Sequence, residues 1–273
     1  MAHFTPLYID GRWTTTNVAE ATRTFDVVNP ASGEVVGQAA SASSEECKAA
    51  VDAAATAFKS WEHSTHAERR AIFLKAAELV SVNEYKKHIV VAMQAETAAE
   101  EYWCTFNWVV AANQLRTVTG MLSELAGQTL PSGVAGARLE THRRAMGVIL
   151  SIAPWNGPFT LALRAIAIPI LCGNTVVLKS SEASPRSQAL IVQLFHDAGL
   201  PAGVLNYVSV SREDAPVRTA ELIAYPAVRK VTFTGSDRVG KIIAMEAAKH
   251  LKPCVLELGG SAPVIVHRFT VRK

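Results

Sequence analysis

The pattern of apolar and polar residues between positions 147 and 185 predicts a strand, a turn, a buried helix and a second strand. Residues 148–152 form a short apolar run, which is typical of a strand covered on both faces. Residues 155–158, Trp-Asn-Gly-Pro, predict a turn because Gly permits unusual backbone angles and Pro fixes φ. Residues 159–172 are apolar nearly all round, so we expect a helix packed inside an α/β layer. Residues 175–178, Thr-Val-Val-Leu, predict the second strand.

This second strand would deliver two charged residues, Lys179 and Glu182, to its carboxyl end. In open α/β sheets, ligands bind at the carboxyl ends of the strands. The first hypothesis is therefore a nucleotide-binding edge, at which Lys179 binds a ribose or a phosphate and Glu182 binds ribose hydroxyls. The alternative is a solvated pair of loop residues without a ligand.

After residue 184, apolar runs of strand length alternate with amphipathic stretches of helix length. The predicted helices are 184–198, 213–223 and 237–250, and the predicted strands are 204–210, 228–233 and 255–258. Strands that alternate with helices in this way imply βαβ units and a parallel sheet. The predicted fold class is α/β, a Rossmann-like parallel sheet with flanking helices.

The first 146 residues have a different pattern. Residues 7–40 alternate short β-like runs with turns, which suits a surface layer of hairpins. A long helical region follows, in which Ser44 is the predicted N-cap of the first helix, and Thr65 with Glu68 has the spacing of a capping box at the second. Two further helical stretches are predicted at 82–99 and 100–126. Residues 128–146 interrupt the helical pattern with Pro and Gly, so we expect a projecting β-hairpin.

Composition narrows the class of protein. The chain has 273 residues, 49% of them hydrophobic and 19% charged, which is typical of a globular protein. A net charge of +3 is too small for a nucleic-acid footprint. The four cysteines are widely spaced without a CxxC pair, which argues against a metal site or a disulfide framework. With no secretory signal and no apolar run long enough to span a bilayer, we expect a cytoplasmic protein that binds neither membrane nor nucleic acid.

Three further segments contain residues that could take part in chemistry. Gly235 and Ser236 lie in a predicted strand–turn–helix unit, where a phosphate could approach the helix N-terminus, although an ordinary βα turn explains the pattern equally well. Glu257 ends a predicted strand and could be a general base, but a simple charge at a turn is the stronger alternative. Asn156 could donate its amide to a developing oxyanion, with an Asx turn as the alternative.

Taken together, four motifs resemble the NAD(P)-dependent aldehyde dehydrogenase superfamily. In chain order they are APWNGPF at 153–159, GNTVVLKSSEASP at 173–185, FTGSDRVGKII at 233–243 and LELGGSAPVIV at 256–266. The resemblance covers residues 7–266 and is most similar to salicylaldehyde and vanillin dehydrogenases.

The resemblance implies a role for each residue already considered. Asn156 would be the side-chain donor of the oxyanion hole, and Glu257 would be the general base that activates the hydrolytic water. Lys179 and Glu182 would hold the adenine ribose, and the carboxylate would favour NAD over NADP. The remaining residues implied to contact the cofactor are Ala153, Pro154, Trp155, Gly235, Ser236, Leu258 and Gly259. The implied partners are a small-molecule aldehyde and, in the full-length family, further copies of the same chain.

The resemblance also implies a division of the chain. Residues 1–126 and 147–258 would form the NAD-binding domain, 127–146 a hairpin of the oligomerisation domain, and 259–273 the start of a catalytic domain. The family's nucleophilic cysteine lies a few dozen residues beyond the LELGG glutamate, whereas Lys273 follows Glu257 by only 16 residues and the last seven residues are unusually basic. We therefore expect a truncated chain that does not oxidise aldehydes by itself. The alternatives are a non-catalytic NAD-binding module and an inactive product.

Overall fold

The computed structural model describes residues 3–14, 21 and 23–266 and confirms the α/β class. Residues 267–273, the basic C-terminal stretch, lie outside the described part. In chain order the strands are β1 (His3–Thr5), β2 (Tyr8–Ile9), β3 (Arg12–Trp13), β4 (Thr24–Val28), β5 (Val35–Ala40), β6 (Gln128–Pro131), β7 (Arg138–Thr141), β8 (Val148–Ile152), β9 (Thr175–Lys179), β10 (Leu205–Val208), β11 (Val228–Thr234) and β12 (Cys254–Glu257). The helices are α1 (Ser44–Trp61), α2 (His66–Val80), α3 (Asn83–Thr97), α4 (Glu101–Gly120), α5 (Pro158–Leu171), α6 (Pro185–Asp197), α7 (Ala215–Ala224) and α8 (Asp237–Lys249), with a 3₁₀ turn at Met121–Leu125.

The main sheet has, within the described residues, the strand order β12-β11-β8-β9-β10-β2-β3. Strands β8 to β12 run parallel to one another, whereas β2 is antiparallel to β10 and β3 is antiparallel to β2. From β8 the chain first moves outward through β9 and β10, and then returns to the other side of β8 for β11 and β12. This reversal makes the gap between β8 and β11 the topological switch point, where ligands of such sheets bind.

Helices cover both faces of the sheet, and alternate strand residues supply the two core layers. Helices α1, α7 and α8 lie on one face, against Val148, Leu150 and Val177. Helices α5 and α6 pack on the other face, to which Ile149 and Val176 point, and α2 to α4 pack on α5 and α6. Because successive side chains of a strand point to opposite faces, both layers can be built from one short apolar run per strand.

The predicted helix boundaries are confirmed to within a few residues, with one correction at a cap. The N-cap of α1 is Ser43 and not Ser44, because the Ser43 hydroxyl accepts from the Glu46 backbone N–H and the Glu46 carboxylate accepts from the Ser43 N–H. The predicted capping box of Thr65 and Glu68 at α2 is confirmed. Both boxes satisfy backbone N–H groups that the first turn of a helix otherwise leaves unpaired.

The N-terminal strands differ from the predicted surface layer. Residues of β2 and β3 extend the main sheet, through pairing of Tyr8 with Tyr207 of β10. Strands β1, β5 and β4 form a separate small sheet. The predicted hairpin within 128–146 is present as the antiparallel pair β6 and β7, whose residues are all exposed.

A buried arginine fixes the connection between α1 and α2 against the end of α5. The Arg69 guanidinium donates to the carbonyls of Trp61 and Glu62 at 3.1 and 3.0 Å, and to the Leu171 carbonyl at 3.3 Å. Burial lowers the pKa of this guanidinium because removal from water penalises its charge. Gly173, with φ +86°, ends α5 next to it, and a Cβ there would lie 2.7 Å from Arg69 Nη2. The arginine therefore donates to carbonyls at the ends of two helices, of which that of Trp61 also accepts from Ser64.

We expect Arg69→Met to lower the free energy of unfolding by about 3 kcal/mol, because it removes the guanidinium donors from the carbonyls of Glu62 and Leu171. Urea unfolding followed by circular dichroism measures this change. Arg70→Met is the matched control, since Arg70 is the exposed neighbour on the same helix. Equal stability of the two variants would contradict the assigned role of Arg69.

Candidate functional site

The predicted site residues follow strands that end at one level of the main sheet. Lys179 of β9 is in register with Ile152 of β8, and Ile152 is in register with Phe233 of β11. Thr234, the next residue of β11, pairs with Glu257 of β12. Since neighbouring strands lie about 4.8 Å apart, these positions span about 15 Å along the carboxyl edge. The turns that follow β8 and β11 flank the switch point.

Asn156 lies in the turn between β8 and α5, with its backbone held and its side chain free. The indole Nε1 of Trp103, on α4, donates to the Asn156 carbonyl at 2.8 Å. The Asn156 side chain is exposed and makes no hydrogen bond with any described residue, so the structure does not support the Asx turn considered as an alternative. Its amide is available to a ligand. Trp155, 55% exposed, lies beside it and can form a wall of the same crevice.

Aromatic residues of α4, which the sequence analysis did not single out, lie beside this turn. The ring of Trp103 stacks on that of Phe106 with centroids 5.1 Å apart and an angle of 11° between their planes. Both side chains are more than 40% exposed, and Tyr102 is more exposed still. Exposed aromatic side chains next to an unpaired amide are typical of binding sites. The signal in the sequence was the cluster Tyr-Trp-Cys-Thr-Phe at 102–106.

Lys179 is a buried cation with unused hydrogen-bonding capacity. Its side chain is 6% exposed, and its ammonium donates at 3.2 Å to the Ser180 carbonyl, its only hydrogen bond with the described residues. Burial lowers the pKa of the Lys179 ammonium, and the nearby Glu182 carboxylate acts in the opposite direction. An ammonium has three donors, so two remain for a ligand. Polar oxygens of a ribose or a phosphate fit this requirement.

Glu182 lies in the turn that follows β9 and is partly exposed. It borders a surface groove whose other walls include Ser41 and Ser211. Its carboxylate makes no hydrogen bond with the described residues, so it is free to accept from hydroxyl groups of a ligand.

The predicted residues of β11, β12 and the loops after them have structural roles as well. The Ser236 hydroxyl caps α8 by accepting from the Val239 N–H at 3.4 Å. A Cβ at Gly235 would overlap the ring of Phe233, so packing alone requires this glycine. Leu258 packs against α8, where a Cβ at Gly240 would overlap it.

Glu257 is exposed at the end of β12, and its carboxylate has no hydrogen bond within the described part of the chain. Gly259 follows nearby, and a Cβ there would lie 3.3 Å from the Asp237 carboxylate. The edge therefore presents the amide of Asn156, the carboxylates of Glu182 and Glu257, all without hydrogen bonds to the described residues, and the buried ammonium of Lys179.

A buried carboxylate, which the sequence analysis also missed, supports the turn that contains Glu182. Glu96 of α3 accepts from the Arg186 and Ser187 N–H groups at 2.8 Å each, and from the Ser187 hydroxyl at 2.6 Å. It caps α6 from outside, because the Ser184 hydroxyl at the N-cap position makes no such bond. Burial raises the pKa of Glu96 to about 7, and these hydrogen bonds oppose the shift.

The described residues contain no group of three or more His, Cys, Asp or Glu side chains that could hold a metal ion. None of the described helices combines the length and the apolar character that crossing a membrane would need.

Comparisons with known proteins agree with this geometry. Residues 17–270 match the sequence model of the aldehyde dehydrogenase family. The chain is 48% identical to a vanillin dehydrogenase of Pseudomonas sp. (strain HR199 / DSM 7063), over 96% of this chain and 53% of that protein. It thus spans about half the length of the curated relatives it matches.

Solved structures show the same architecture. A salicylaldehyde dehydrogenase from Pseudomonas putida G7, complexed with salicylaldehyde, superposes with a TM-score of 0.89 at 42% identity, over 94% of this chain and 52% of that one. A mutant aldehyde dehydrogenase from Pseudomonas syringae, complexed with NAD+ and octanal, superposes with a TM-score of 0.85 at 35% identity, over 95% and 51% of the two chains. The first match confirms the recognised family and the fold class.

We expect Glu96→Gln to change how stability depends on pH. The folded chain holds the Glu96 proton up to about pH 7, whereas an unfolded glutamate releases it near its ordinary pKa of 4.5. The contribution of Glu96 to the free energy of unfolding therefore increases as the pH falls from about 7 to about 4.5. Urea unfolding across this range measures the free energy of unfolding of both proteins. The value for the unaltered chain minus the value for Glu96→Gln should increase as the pH falls.

The control for this prediction is Glu78→Gln, which changes an exposed carboxylate on α2. Its unfolding curve should follow that of the unaltered chain in parallel at every pH. A parallel curve for Glu96→Gln as well would show that Glu96 does not titrate differently in the folded chain.

Proposed function

Because the chain belongs to the aldehyde dehydrogenase family, we propose that it forms the cofactor-binding part of an NAD-dependent enzyme that oxidises an aromatic aldehyde to its acid. The observation that carries this proposal is the buried ammonium of Lys179, whose donors are unused at the carboxyl edge of the sheet. Retaining a buried, incompletely paired charge is costly unless a ligand completes its hydrogen bonds.

NAD fits the residues that follow β9. Lys179 would donate to hydroxyls of the adenine ribose, and Glu182 would accept from them. A carboxylate at this point repels the 2′-phosphate of NADP, which supports a preference for NAD. Trp155, Ala153 and Pro154 would border the cofactor on the β8 side.

The turn after β11 and the loop after β12 would complete the cofactor site. Gly235 and Ser236, at the start of α8, would lie against the pyrophosphate, where a helix N-terminus favours negative charge. Leu258 and Gly259 would border the cofactor on the β12 side.

Asn156 and Glu257 would act on the substrate and on water. When bound, NAD supplies the hydride acceptor for the oxidation of the aldehyde. The free amide of Asn156 would donate to the oxygen that becomes negative when a thiolate adds to the aldehyde carbonyl. This addition gives a thiohemiacetal, and loss of its hydride to the acceptor leaves a thioester. The exposed carboxylate of Glu257 would take a proton from the water that hydrolyses this thioester and releases the thiolate.

An aromatic substrate is supported by the surroundings of Asn156. The stacked rings of Trp103 and Phe106 are held beside the turn by the bond from Trp103 to the Asn156 carbonyl. Flat apolar rings can pack against an aromatic aldehyde in offset or edge-on geometry. The vanillin and salicylaldehyde dehydrogenases among the relatives are named for such substrates.

We also propose the division of the chain that the sequence predicts. Residues 1–126 and 147–258 form the NAD-binding domain, and 259–273 begin the catalytic domain. The exposed hairpin of β6 and β7, within 127–146, belongs to a surface through which copies of the chain assemble.

The raised pKa values of the cysteine thiols favour a second candidate function. In this alternative the chain is an NAD-binding module without catalysis of its own. Burial raises the pKa of all four thiols, that of Cys47 to about 12. Nucleophilic cysteines need the opposite shift, because the thiolate is the reactive form. The 273-residue chain thus has no activated thiol at the edge that contains Asn156.

Calorimetric titration of the purified 273-residue chain tests cofactor binding. We expect saturable binding of NAD, weaker binding of NADP, and at least about tenfold weaker binding of NAD by Lys179→Met, because a charge-assisted hydrogen bond is lost. Lys75→Met, at an exposed position of α2, is the control and should leave the affinity unchanged. Undetectable binding by the unaltered chain would refute the proposed function.

We expect no NAD-dependent oxidation of vanillin or salicylaldehyde by the 273-residue chain alone, since none of its thiols is activated. The measurement is the absorbance of NADH after the substrates are mixed with chain that has been shown to bind NAD. An intact vanillin dehydrogenase serves as the positive control. Turnover that is lost on replacing one of the four cysteines by serine would contradict this prediction and identify the nucleophile.

A further inference from the structure

Gln188 joins the two turns that contain the proposed cofactor contacts. Its side chain is completely buried in the first turn of α6. Its Nε2 donates to the Pro154 carbonyl at 2.8 Å and to the Ala153 carbonyl at 3.5 Å. Its Oε1 accepts from the Ser181 N–H at 3.2 Å. One amide thus contacts the turn after β8 with its nitrogen and the turn after β9 with its oxygen.

Gln188 provides the hydrogen bonds that link these two turns to each other. Their strands are joined by the ladder that ends at the pair Ile152 and Lys179. Beyond that pair, no other hydrogen bond within the described part of the chain joins residues 153–157 to residues 180–184. The separation of Asn156 and Trp155 from Glu182 is therefore set by this single side chain and by packing.

The helix that contains Gln188 is itself anchored. Glu96 accepts from the backbone N–H groups of Arg186 and Ser187, the two residues that precede Gln188. The Gln188 N–H bonds to the Ser184 carbonyl. With its backbone fixed from α3, the Gln188 side chain can act as a rigid spacer between the two turns.

We propose that Gln188 is a positioning residue that sets the affinity for NAD by holding these two turns at the separation that the cofactor requires. The inference rests on the proposed function, because both turns are cofactor contacts only if NAD binds there. The chemistry of the position favours an amide, since the site needs a donor at one end and an acceptor at the other. Methionine has a similar length but neither group, and an ionised glutamate has no donor.

The test compares Gln188→Met with Gln193→Met in the 273-residue chain. Gln193 is a matched control because it lies on the same helix and its amide also both accepts and donates, accepting from the Trp13 indole and donating to Asp197. We expect Gln188→Met to weaken NAD binding about tenfold, because the three hydrogen bonds that preorganise the two turns are lost. Gln193→Met should bind NAD with unchanged affinity.

Two further measurements separate positioning from a general loss of stability. Amide hydrogen exchange without NAD should be faster in Gln188→Met at residues 153–157 and at Ser181, and unchanged in the central strands. Gln188→Glu should bind NAD weakly at high pH and recover as the pH falls, because a protonated carboxyl both donates to Pro154 and accepts from Ser181.

The outcomes are distinguishable. Equal affinity of Gln188→Met and the unaltered chain, or equal weakening in Gln193→Met, would overturn the positioning role while NAD binding itself stands. Unchanged amide exchange in both turns would overturn it as well. Failure of the unaltered chain to bind NAD would instead contradict the proposed function, on which this inference rests.

Discussion

The parallel pairing of β8 with strands on both of its sides is the constraint on which the rest of the structure depends. Because β9 and β11 flank β8 in the same direction, the turns that leave these strands all emerge at one edge. The chain then reverses its order around β8, so no connection covers the gap between the turns after β8 and β11. A crevice with backbone groups and side chains from several segments is the necessary result.

This arrangement explains why charged and polar groups are buried at the edge. Strands that are covered on both faces leave no solvated side for the residues that end them, and Lys179 is buried for this reason. Two other buried polar side chains near the edge bond to backbone groups. Gln188 bonds to the turns after β8 and β9, and Glu96 bonds to the start of α6. Lys179 differs because its neighbours satisfy one donor out of three. This surplus hydrogen-bonding capacity is the observation on which the proposed binding role of Lys179 rests.

Much of the fold could be predicted because it depends on local patterns. The apolar stretch 159–172 gave α5 at Pro158–Leu171, and the spacing of Thr65 and Glu68 gave a capping box. The predicted N-cap of α1 was wrong by one residue. Two adjacent serines precede the acidic pair, and local chemistry alone does not show which serine is the cap. The addition of β2 to the main sheet could not be predicted, since its partner β10 is about 200 residues away and pairing over that distance leaves no periodic signal.

The site was predictable by residue type but not by the interactions that support it. The positions of Asn156, Lys179 and Glu257 at or after the ends of strands could be predicted, because their motifs place polar groups there; their roles remain proposals. Gln188 and Glu96 were missed because their partners are backbone groups far along the chain, which no side-chain pattern marks. The prediction for Gly235 was incomplete, since a Cβ there would overlap the ring of Phe233 whether or not a phosphate binds.

The turn after β8 shows how these supporting interactions serve the site. Trp103 holds this turn by the Asn156 carbonyl from the side of α4, and Gln188 holds it by the Pro154 carbonyl from the side of α6. Both contacts are to backbone oxygen, so they fix the path of the turn without using the amide of Asn156. Holding the backbone reduces the conformational freedom that the turn would lose if the proposed oxyanion formed beside Asn156. The fold therefore holds the backbone of this turn and leaves the Asn156 amide without a partner among the described residues.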